Sequence, residues 1–218
     1  MFRDTGTGIE MRGKRFETGI SELDRMLGGG IPEGKVLLLC SEPDGETEIL
    51  SLSYLCSGLR SHEVVLYVEF RTIPISSYLS GVRERGILDP LFETDEPIFM
   101  NVNGVSDMES LIEIVDRSGI DRIVLSHPEV MALRDDPEWF KSLERLLQYL
   151  RTNMMGIILL SSPDGCGSLD YLADGKMGIT LTGDGRRSAS VSHWPFTSKE
   201  NLRRDLLEPE GGGWYEGS

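Results

Sequence analysis

The sequence predicts an α/β fold in which helices cover both faces of a central, mostly parallel sheet that ends in an antiparallel hairpin. Two observations support this prediction. Short, almost continuously apolar segments alternate with longer amphipathic ones, and parallel strands buried on both faces are typically apolar throughout. The last two apolar segments are separated by Thr182-Gly183-Asp184-Gly185, whose Gly and Asp residues favour a tight hairpin turn.

The predicted elements follow in chain order. A short helix is expected to begin near Ser21, with Ser21 as its N-cap and Asp24 in a capping-box position, and to end at the glycines 28–30. Strands are expected at 36–40, 64–70, 98–102, 122–126, 156–161, 177–181 and 188–194. Helices are expected at 46–58, 74–85, 107–118, 137–153 and 169–173.

Composition limits the class of protein. The chain has 218 residues and a formal net charge of −14. We expect one domain over 16–200, a loosely ordered N-terminal extension at 1–15 and a C-terminal tail at 201–218. The negative charge makes nucleic acid an unfavourable partner, because the phosphate backbone is bound by Lys and Arg. The sequence shows neither a membrane span nor a signal-peptide core, so we expect a cytoplasmic protein without a membrane partner.

The cysteines predict neither a metal site nor a disulfide. Cys40, Cys56 and Cys166 are spaced like neither a disulfide framework nor a zinc site, and the three histidines show no metal-ligand spacing with them. We expect all three to be buried thiols in a reducing cytoplasm.

The stretch 35–50 has the layout strand, tight loop and helix, in which backbone N–H groups and a helix N-terminus can hold phosphates. The loop consists of Ser41, Glu42, Pro43, Asp44, Gly45, Glu46 and Thr47. It contains no Lys, and with Glu48 this stretch carries four acidic side chains. Its backbone pattern therefore predicts a phosphate loop, whereas its side chains oppose phosphate binding.

Two segments resemble the RecA-like ATPases of the KaiC type, which are typical of archaea and cyanobacteria. The first contains Thr18-Gly19-Ile20, Leu23-Asp24, Leu27, Gly29-Gly30-Ile31-Pro32 and Gly34. The second is Leu169-Asp170-Tyr171-Leu172-Ala173-Asp174-Gly175, before the last strands. The resemblance covers roughly residues 16–196. It implies a RecA-like P-loop NTPase fold, often assembled into rings with ATP and magnesium between neighbouring subunits.

The family's phosphate loop, G-x-P-G-x-G-K-T, can be placed on this sequence in two ways. With Pro43 on the family's proline, Thr47 stands at the lysine. With Gly45 on the last glycine and one residue deleted, Glu46 stands at the lysine and Thr47 at the magnesium-binding hydroxyl. Both placements lose the lysine. A carboxylate beside a phosphate is repelled by ~4 kcal/mol for unit charges ~4 Å apart at an effective dielectric constant of ~20.

Other charged positions that the resemblance implies are also changed. Ser126 stands where the magnesium-binding Asp is expected, and Arg71 and Thr72 stand where the family has its general-base carboxylates. Glu69, whose side chain strand alternation sends to the same face as that of Arg71, is an alternative, displaced base. His193-Trp194-Pro195 replaces the K-x-R pair near the last strand.

These changes predict a catalytically inactive, degenerate member of the family with no catalytic residue, no metal and no bound cofactor. The expected function is regulatory or scaffolding, through a protein partner that is a second copy of the chain or an active relative. We expect a weak assembly, monomer to dimer. One alternative is a nucleotide-binding protein or ATPase that uses ATP and Mg²⁺ with an altered phosphate loop. The other is an accessory protein of DNA recombination or repair.

Overall fold

The computed structural model describes residues 13–41, 46–71, 99–134, 138–181, 187–197 and 203–204. The predicted helix at 74–85, the predicted turn at 182–185 and the loop residues 42–45 lie outside these ranges. Within the described part of the chain, no helix is long and apolar enough to cross a membrane.

Strands and helices alternate as predicted. The strands are β1 (Arg15–Phe16), β2 (Ile31–Pro32), β3 (Val36–Ser41), β4 (Val65–Glu69), β5 (Phe99–Asn101), β6 (Arg122–Ser126), β7 (Gly156–Ser161), β8 (Gly175–Leu181), β9 (Arg187–His193) and β10 (Arg203–Arg204). The helices are α1 (Ser21–Leu27), α2 (Glu46–Arg60), α3 (Val105–Ser118), α4 (Trp139–Thr152) and α5 (Pro163–Leu169). Two 3₁₀ segments, Pro128–Arg134 and Asp170–Leu172, follow β6 and α5.

Eight of the described strands form one sheet, in the order β10-β9-β8-β3-β7-β6-β4-β5. The six strands from β8 to β5 are parallel to their neighbours. β9 and β10 continue the sheet in antiparallel pairing. β1 and β2 form a separate antiparallel pair. The predicted fold class, an α/β RecA-like fold with a mostly parallel sheet and an antiparallel hairpin, is confirmed.

Strand β3 shows why the predicted strands are apolar throughout. Side chains alternate between the faces of a strand. Leu37 and Leu39 pack with α1 and α2 in one core cluster, whereas Val36, Leu38 and Cys40 pack with α3, α4 and α5 in a second cluster on the other face. The sheet is covered on both sides, so both sets must be apolar.

The start of α1 differs from the prediction. Ser21 is the first helical residue, and Ile20 occupies the N-cap position without a side-chain cap. Asp24 instead accepts a hydrogen bond of 2.6 Å from the backbone N–H of Thr18. The capping prediction is therefore wrong, because the carboxylate binds the turn before the helix. Gly28 ends the helix in a left-handed conformation, with φ of 74°.

Helix α5 begins earlier than the predicted helix at 169–173. Pro163 stands at the start of α5, where proline is tolerated. The Ser162 hydroxyl oxygen accepts a hydrogen bond of 3.2 Å from the Gly165 N–H. This cap outweighs the low helix propensity of Gly165 and Gly167, and the predicted segment is the 3₁₀ turn that follows.

The expectation of three buried thiols is wrong for two of them. Cys40 at the end of β3 and Cys166 in α5 form a disulfide, with their Cα atoms 6.2 Å apart. Such a Cα separation suits a disulfide. Cys56 lies in α2 on the other side of the sheet and is buried there. The two bonded cysteines are 126 residues apart in sequence, so only the tertiary fold brings them together.

Candidate functional site

The candidate site lies at the carboxyl edge of the parallel sheet. β3, β6 and β4 end at Ser41, Ser126 and Glu69, respectively. β3 pairs in parallel with β7, β7 with β6 and β6 with β4, which brings these ends to one edge. Ligands of open α/β sheets bind outside this edge. The sequence-predicted positions Ser41, Thr47, Arg71 and Ser126 are therefore gathered here.

Glu48 lies at the centre of this edge, in the first turn of α2. Its carboxylate is almost completely buried, with 3% of the side chain exposed. Oε1 of Glu48 lies 2.9 Å from an Arg71 guanidinium nitrogen and 3.5 Å from His127 Nε2. The contact with Arg71 is a close ion pair, and the contact with His127 is a longer charge interaction.

Arg71 joins two carboxylates from different elements. Its Nε donates to Glu69 Oε1 at 3.0 Å and a terminal nitrogen donates to Oε2 at 3.2 Å, which is a two-pronged pair. The same guanidinium reaches Glu48. Glu69 and Arg71 thus lie on one face, as strand alternation predicts. Glu69, the alternative base, is therefore paired with Arg71, and Arg71 itself stands at a position where the resemblance implies a general base.

His127 follows β6 and extends these contacts towards α5. Its backbone is left-handed, with φ of 56°, which is uncommon for a residue other than Gly. Its Nδ1 lies 3.0 Å from Glu129 Oε1. The same oxygen of Glu129 accepts hydrogen bonds from the backbone N–H of Ser162 at 3.0 Å and from its hydroxyl at 3.2 Å. We call Glu48, Glu69, Arg71, His127 and Glu129 the ionic network.

The members of the ionic network shift one another's pKa values. Burial alone would raise the pKa of Glu48, but His127 and Arg71 outweigh it and lower that pKa to about 2. Burial would lower the pKa of His127, but the carboxylates of Glu129 and Glu48 raise it to about 9. Burial would raise the pKa of Glu129, yet His127 and the Ser162 N–H lower it. At neutral pH Glu48 is ionised and His127 is protonated.

Three residues at sequence-predicted positions, Ser41, Thr47 and Ser126, have hydroxyl side chains that are buried at the same edge. Ser41 Oγ and Thr47 Oγ1 lie 3.0 Å apart, and Thr47 Oγ1 donates to Glu48 Oε2 at 3.1 Å. Glu42, Pro43, Asp44, Gly45 and Thr72, together with the side chain of Glu46, lie outside the described residues. Exposed His193 at the end of β9 is followed by Trp194, whose buried indole N–H donates to Leu27 O at 3.0 Å.

The arrangement favours internal pairing over anion binding. Three carboxylates face two cations, so the ionic network carries a net negative charge. Among the described side chains, no group of three or more His, Cys, Asp or Glu residues is arranged to hold a metal ion. Glu129 has no counterpart in the resemblance, and Glu48 has one only in the placement with Pro43 on the family's proline, where it stands at the magnesium-binding hydroxyl. Their place at the site could be predicted only from the rule that the segments which follow parallel strands meet at one edge of the sheet.

A cavity of about 480 Å³ lies at the opposite edge of the sheet, near the start of β3 and the end of α4. Lys35 and Arg151 line it, and both bind the Asp174 carboxylate, at 3.2 and 3.1 Å. Arg15, which also lines it, donates to backbone carbonyls including Gly30 O at 3.1 Å. The ion pairs of Lys35 and Arg151 with Asp174 lie where β3 and β8 begin, whereas the ionic network lies where the parallel strands end.

Comparison with known proteins finds similarity over a limited part of the chain. Residues 15–67, from β1 into β4, match a family of unknown function (DUF7125). The DNA repair protein RadA of Haemophilus influenzae is 44% identical over 54 residues, 25% of this chain and 12% of RadA. UPF0273 proteins of Pyrococcus furiosus and Thermotoga maritima are 39% and 36% identical over 62 residues. These matches cover 28% of this chain and about a quarter of each relative. The similarity is local and agrees with a RecA-like fold.

Replacing Glu48 with Gln tests the ionic network. The substitution Glu48→Gln leaves Arg71 and His127 with one carboxylate fewer inside the protein. We expect the free energy of unfolding at pH 7, measured by urea denaturation, to fall by about 2–4 kcal/mol. The control is Glu113→Gln, which breaks the exposed pair with Arg117. That variant is expected to lose about 0.5 kcal/mol or less. Equal effects of the two substitutions would contradict the central role of Glu48.

Stability is expected to fall as the pH rises from about 6.5 to about 9. An unfolded His releases its proton near pH 6.5, whereas folded His127 keeps it until about pH 9. Across this window the native state binds more protons, so the free energy of unfolding decreases with pH, by about 3 kcal/mol in total. Urea denaturation at several pH values measures it, with His127→Gln as the control. A constant difference in stability between the two proteins across this window would refute the prediction.

Proposed function

We propose that this chain is a non-catalytic protein of the KaiC-like type within the RecA-like superfamily, and that it acts as a regulator or scaffold by binding other proteins. The supporting observation is the buried Glu48 carboxylate, held by Arg71 and His127 at the ligand-binding edge of the sheet. A second copy of the chain or an active relative in the cytoplasm is the partner we propose.

Phosphoryl transfer depends on positive charge placed around the phosphates. In phosphate-loop proteins that charge comes from a loop Lys and a bound metal at the start of the helix. Here the first turn of α2 presents the ionised carboxylate of Glu48 instead. A triphosphate arriving at this edge would meet the net negative charge of the ionic network and would have to separate Glu48 from Arg71.

The position of Glu48 favours one of the two placements of the loop. With Pro43 on the family's proline, Glu48 stands at the magnesium-binding hydroxyl, one residue after Thr47 at the lysine. That hydroxyl is expected near the strand end where Ser126 replaces the metal-binding Asp. Glu48 does lie beside His127, the residue next to Ser126. In this placement Glu48 brings a carboxylate to the family's hydroxyl position, and Ser126 brings a hydroxyl to the position of the family's metal-binding Asp.

The two alternatives each have one supporting observation. A nucleotide-binding protein or ATPase using ATP and Mg²⁺ with an altered loop is supported by the Thr47 hydroxyl at the start of α2, where helix N–H groups attract anions. An accessory role in DNA recombination or repair is supported by the local similarity to the DNA repair protein RadA. The carboxylates of the ionic network oppose the first alternative, and the net charge of −14 opposes the second, because the DNA backbone is bound by Lys and Arg.

Isothermal titration with Mg-ATP tests the absence of nucleotide binding. We expect no measurable binding to the wild-type chain at ~1 mM Mg-ATP, because the ionic network repels the phosphates. A variant with a restored loop carries Ser41→Gly, Asp44→Gly, Gly45→Ser, Glu46→Gly, Thr47→Lys and Glu48→Thr. It is expected to bind with a Kd of roughly 10–100 μM. The matched control has the same loop but keeps Thr47, and should not bind.

Circular dichroism shows whether each loop variant is folded, and a colorimetric phosphate assay measures turnover. Micromolar binding by the wild-type chain together with phosphate release would overturn the proposal. A folded, restored variant that binds no better than the control would show that the loop charges are not what prevents binding.

Light scattering coupled to size exclusion tests the proposed association. Nucleotide does not bridge the subunits in this proposal, so we expect a monomer or dimer whose mass is unchanged by Mg-ATP. The expected monomer–dimer Kd lies in the micromolar range, typical of modest interfaces, and a dilution series measures it. A stable hexamer without nucleotide, or a ring that forms only with Mg-ATP, would contradict this part of the proposal.

A further inference from the structure

The disulfide Cys40–Cys166 joins two elements that border the candidate site. Cys40 is the last but one residue of β3, directly before Ser41 and the loop. Cys166 lies in α5, which follows β7. Both belong to the same core cluster, where their neighbours are apolar side chains. The disulfide therefore ties α5 to the strand that leads into the loop.

We propose that Cys40–Cys166 is a reversible redox site, reduced by a protein dithiol, and that its redox state sets the position of α5 against the ionic network. This inference is independent of the proposed function, because it concerns a covalent bond and its mechanical consequence. The co-substrate is defined by its chemistry: two thiols that can close into a disulfide.

The exchange balances as two successive thiol–disulfide steps. A thiolate of the dithiol attacks Sγ of Cys40 at the end of β3. Both bonded residues are buried, with exposed fractions of 8% and 2%, so the attack takes place when α5 opens locally. A mixed disulfide forms, and Cys166 leaves as a thiolate that takes up a proton. The second thiol of the partner then attacks its own mixed disulfide and releases Cys40, which is also protonated. The partner is oxidised by two electrons, and the chain gains two thiols.

Cys56 does not interfere with this exchange. It is buried in the cluster on the α1 and α2 side of the sheet, whereas Cys40 and Cys166 lie in the cluster on the other side. A thiol on one face of a packed sheet reaches a disulfide on the other face only if the sheet opens. The site therefore has two states, oxidised and reduced, with no competing pairing in the folded protein.

Reduction changes the geometry, because two thiol sulfurs in van der Waals contact need more room than two bonded ones. One of the two elements must move. β3 is a central strand that pairs with β7 on one side and β8 on the other. α5 is seven residues long, and its buried side chains are Cys166 and Leu169. The weaker attachment is that of α5, so α5 is the element that shifts.

A shift of α5 reaches the ionic network through Ser162. This residue caps α5 and binds Glu129 through both its N–H and its hydroxyl. Gly165 in the same helix lies so close that an added Cβ would be 2.5 Å from Glu129 Cγ. Glu129 in turn binds His127, which faces Glu48 of α2 and, through that carboxylate, Arg71 after β4. Displacement of α5 thus weakens the hold of Glu129 on His127.

Two measurements on the wild-type chain test this inference. Thiol titration of the unfolded protein, purified without reductant, is expected to find one thiol, and three after dithiothreitol, which serves as the probe dithiol. Proton NMR of the histidine rings then follows His127. We expect its proton affinity to fall about tenfold on reduction, a decrease of about one pKa unit, because Glu129 holds it less firmly. Reoxidation with oxidised glutathione should restore the original value.

Matched variants separate this effect from a general response to reductant. Cys166→Ser should resemble the reduced protein with or without dithiothreitol, whereas Cys56→Ser should respond like the wild type. Three thiols in the protein as purified, or the same His127 titration in the oxidised and reduced wild type, would overturn the inference. Because the wild type carries the decisive comparison, the test does not depend on either variant folding.

Discussion

The ionised carboxylate of Glu48 is the constraint on which the carboxyl edge of this sheet depends. A charge this deeply buried is tolerated only when other charges and hydrogen bonds compensate it. Arg71 and His127 do so from the ends of β4 and β6. Each of them needs a further carboxylate in turn, Glu69 for the first and Glu129 for the second. The other members of the ionic network are thus the groups that compensate, directly or in turn, the buried charge of Glu48.

The two-faced sheet makes this network rigid. β3, β7 and β6 are held by parallel pairing and by core clusters on both faces, so the residues at their ends have little freedom. Side chains at such ends can be placed accurately, which is why ligand sites of α/β proteins form there. In this chain the side chains at these strand ends pair with one another. The disulfide of β3 with α5 adds a covalent tie at the same edge.

Part of the candidate site could be predicted from local patterns. Strand alternation predicts that Glu69 and Arg71 share a face, and the guanidinium does bind that carboxylate. The position of Ser126 at the end of its strand was also predictable, since the apolar run stops there. The pairing of Glu48 with His127 was not predictable, because 79 positions in the sequence separate the helix from the strand end. Sequence patterns report local geometry, whereas this contact depends on strand order.

The sequence by itself determined the fold class, the positions of most strands and helices, and the absence of a Lys from the loop. These properties depend on the period of apolar residues and on residue identity, both of which are local. Only the tertiary structure decided that Glu48 is neutralised by Arg71 and His127, and that Cys40 is bonded to Cys166. Both outcomes require distant segments to meet with side chains in defined orientations. The acidic residue that directly follows the loop has a structural role: Glu48, in the first turn of α2, is the buried centre of the ionic network at this edge.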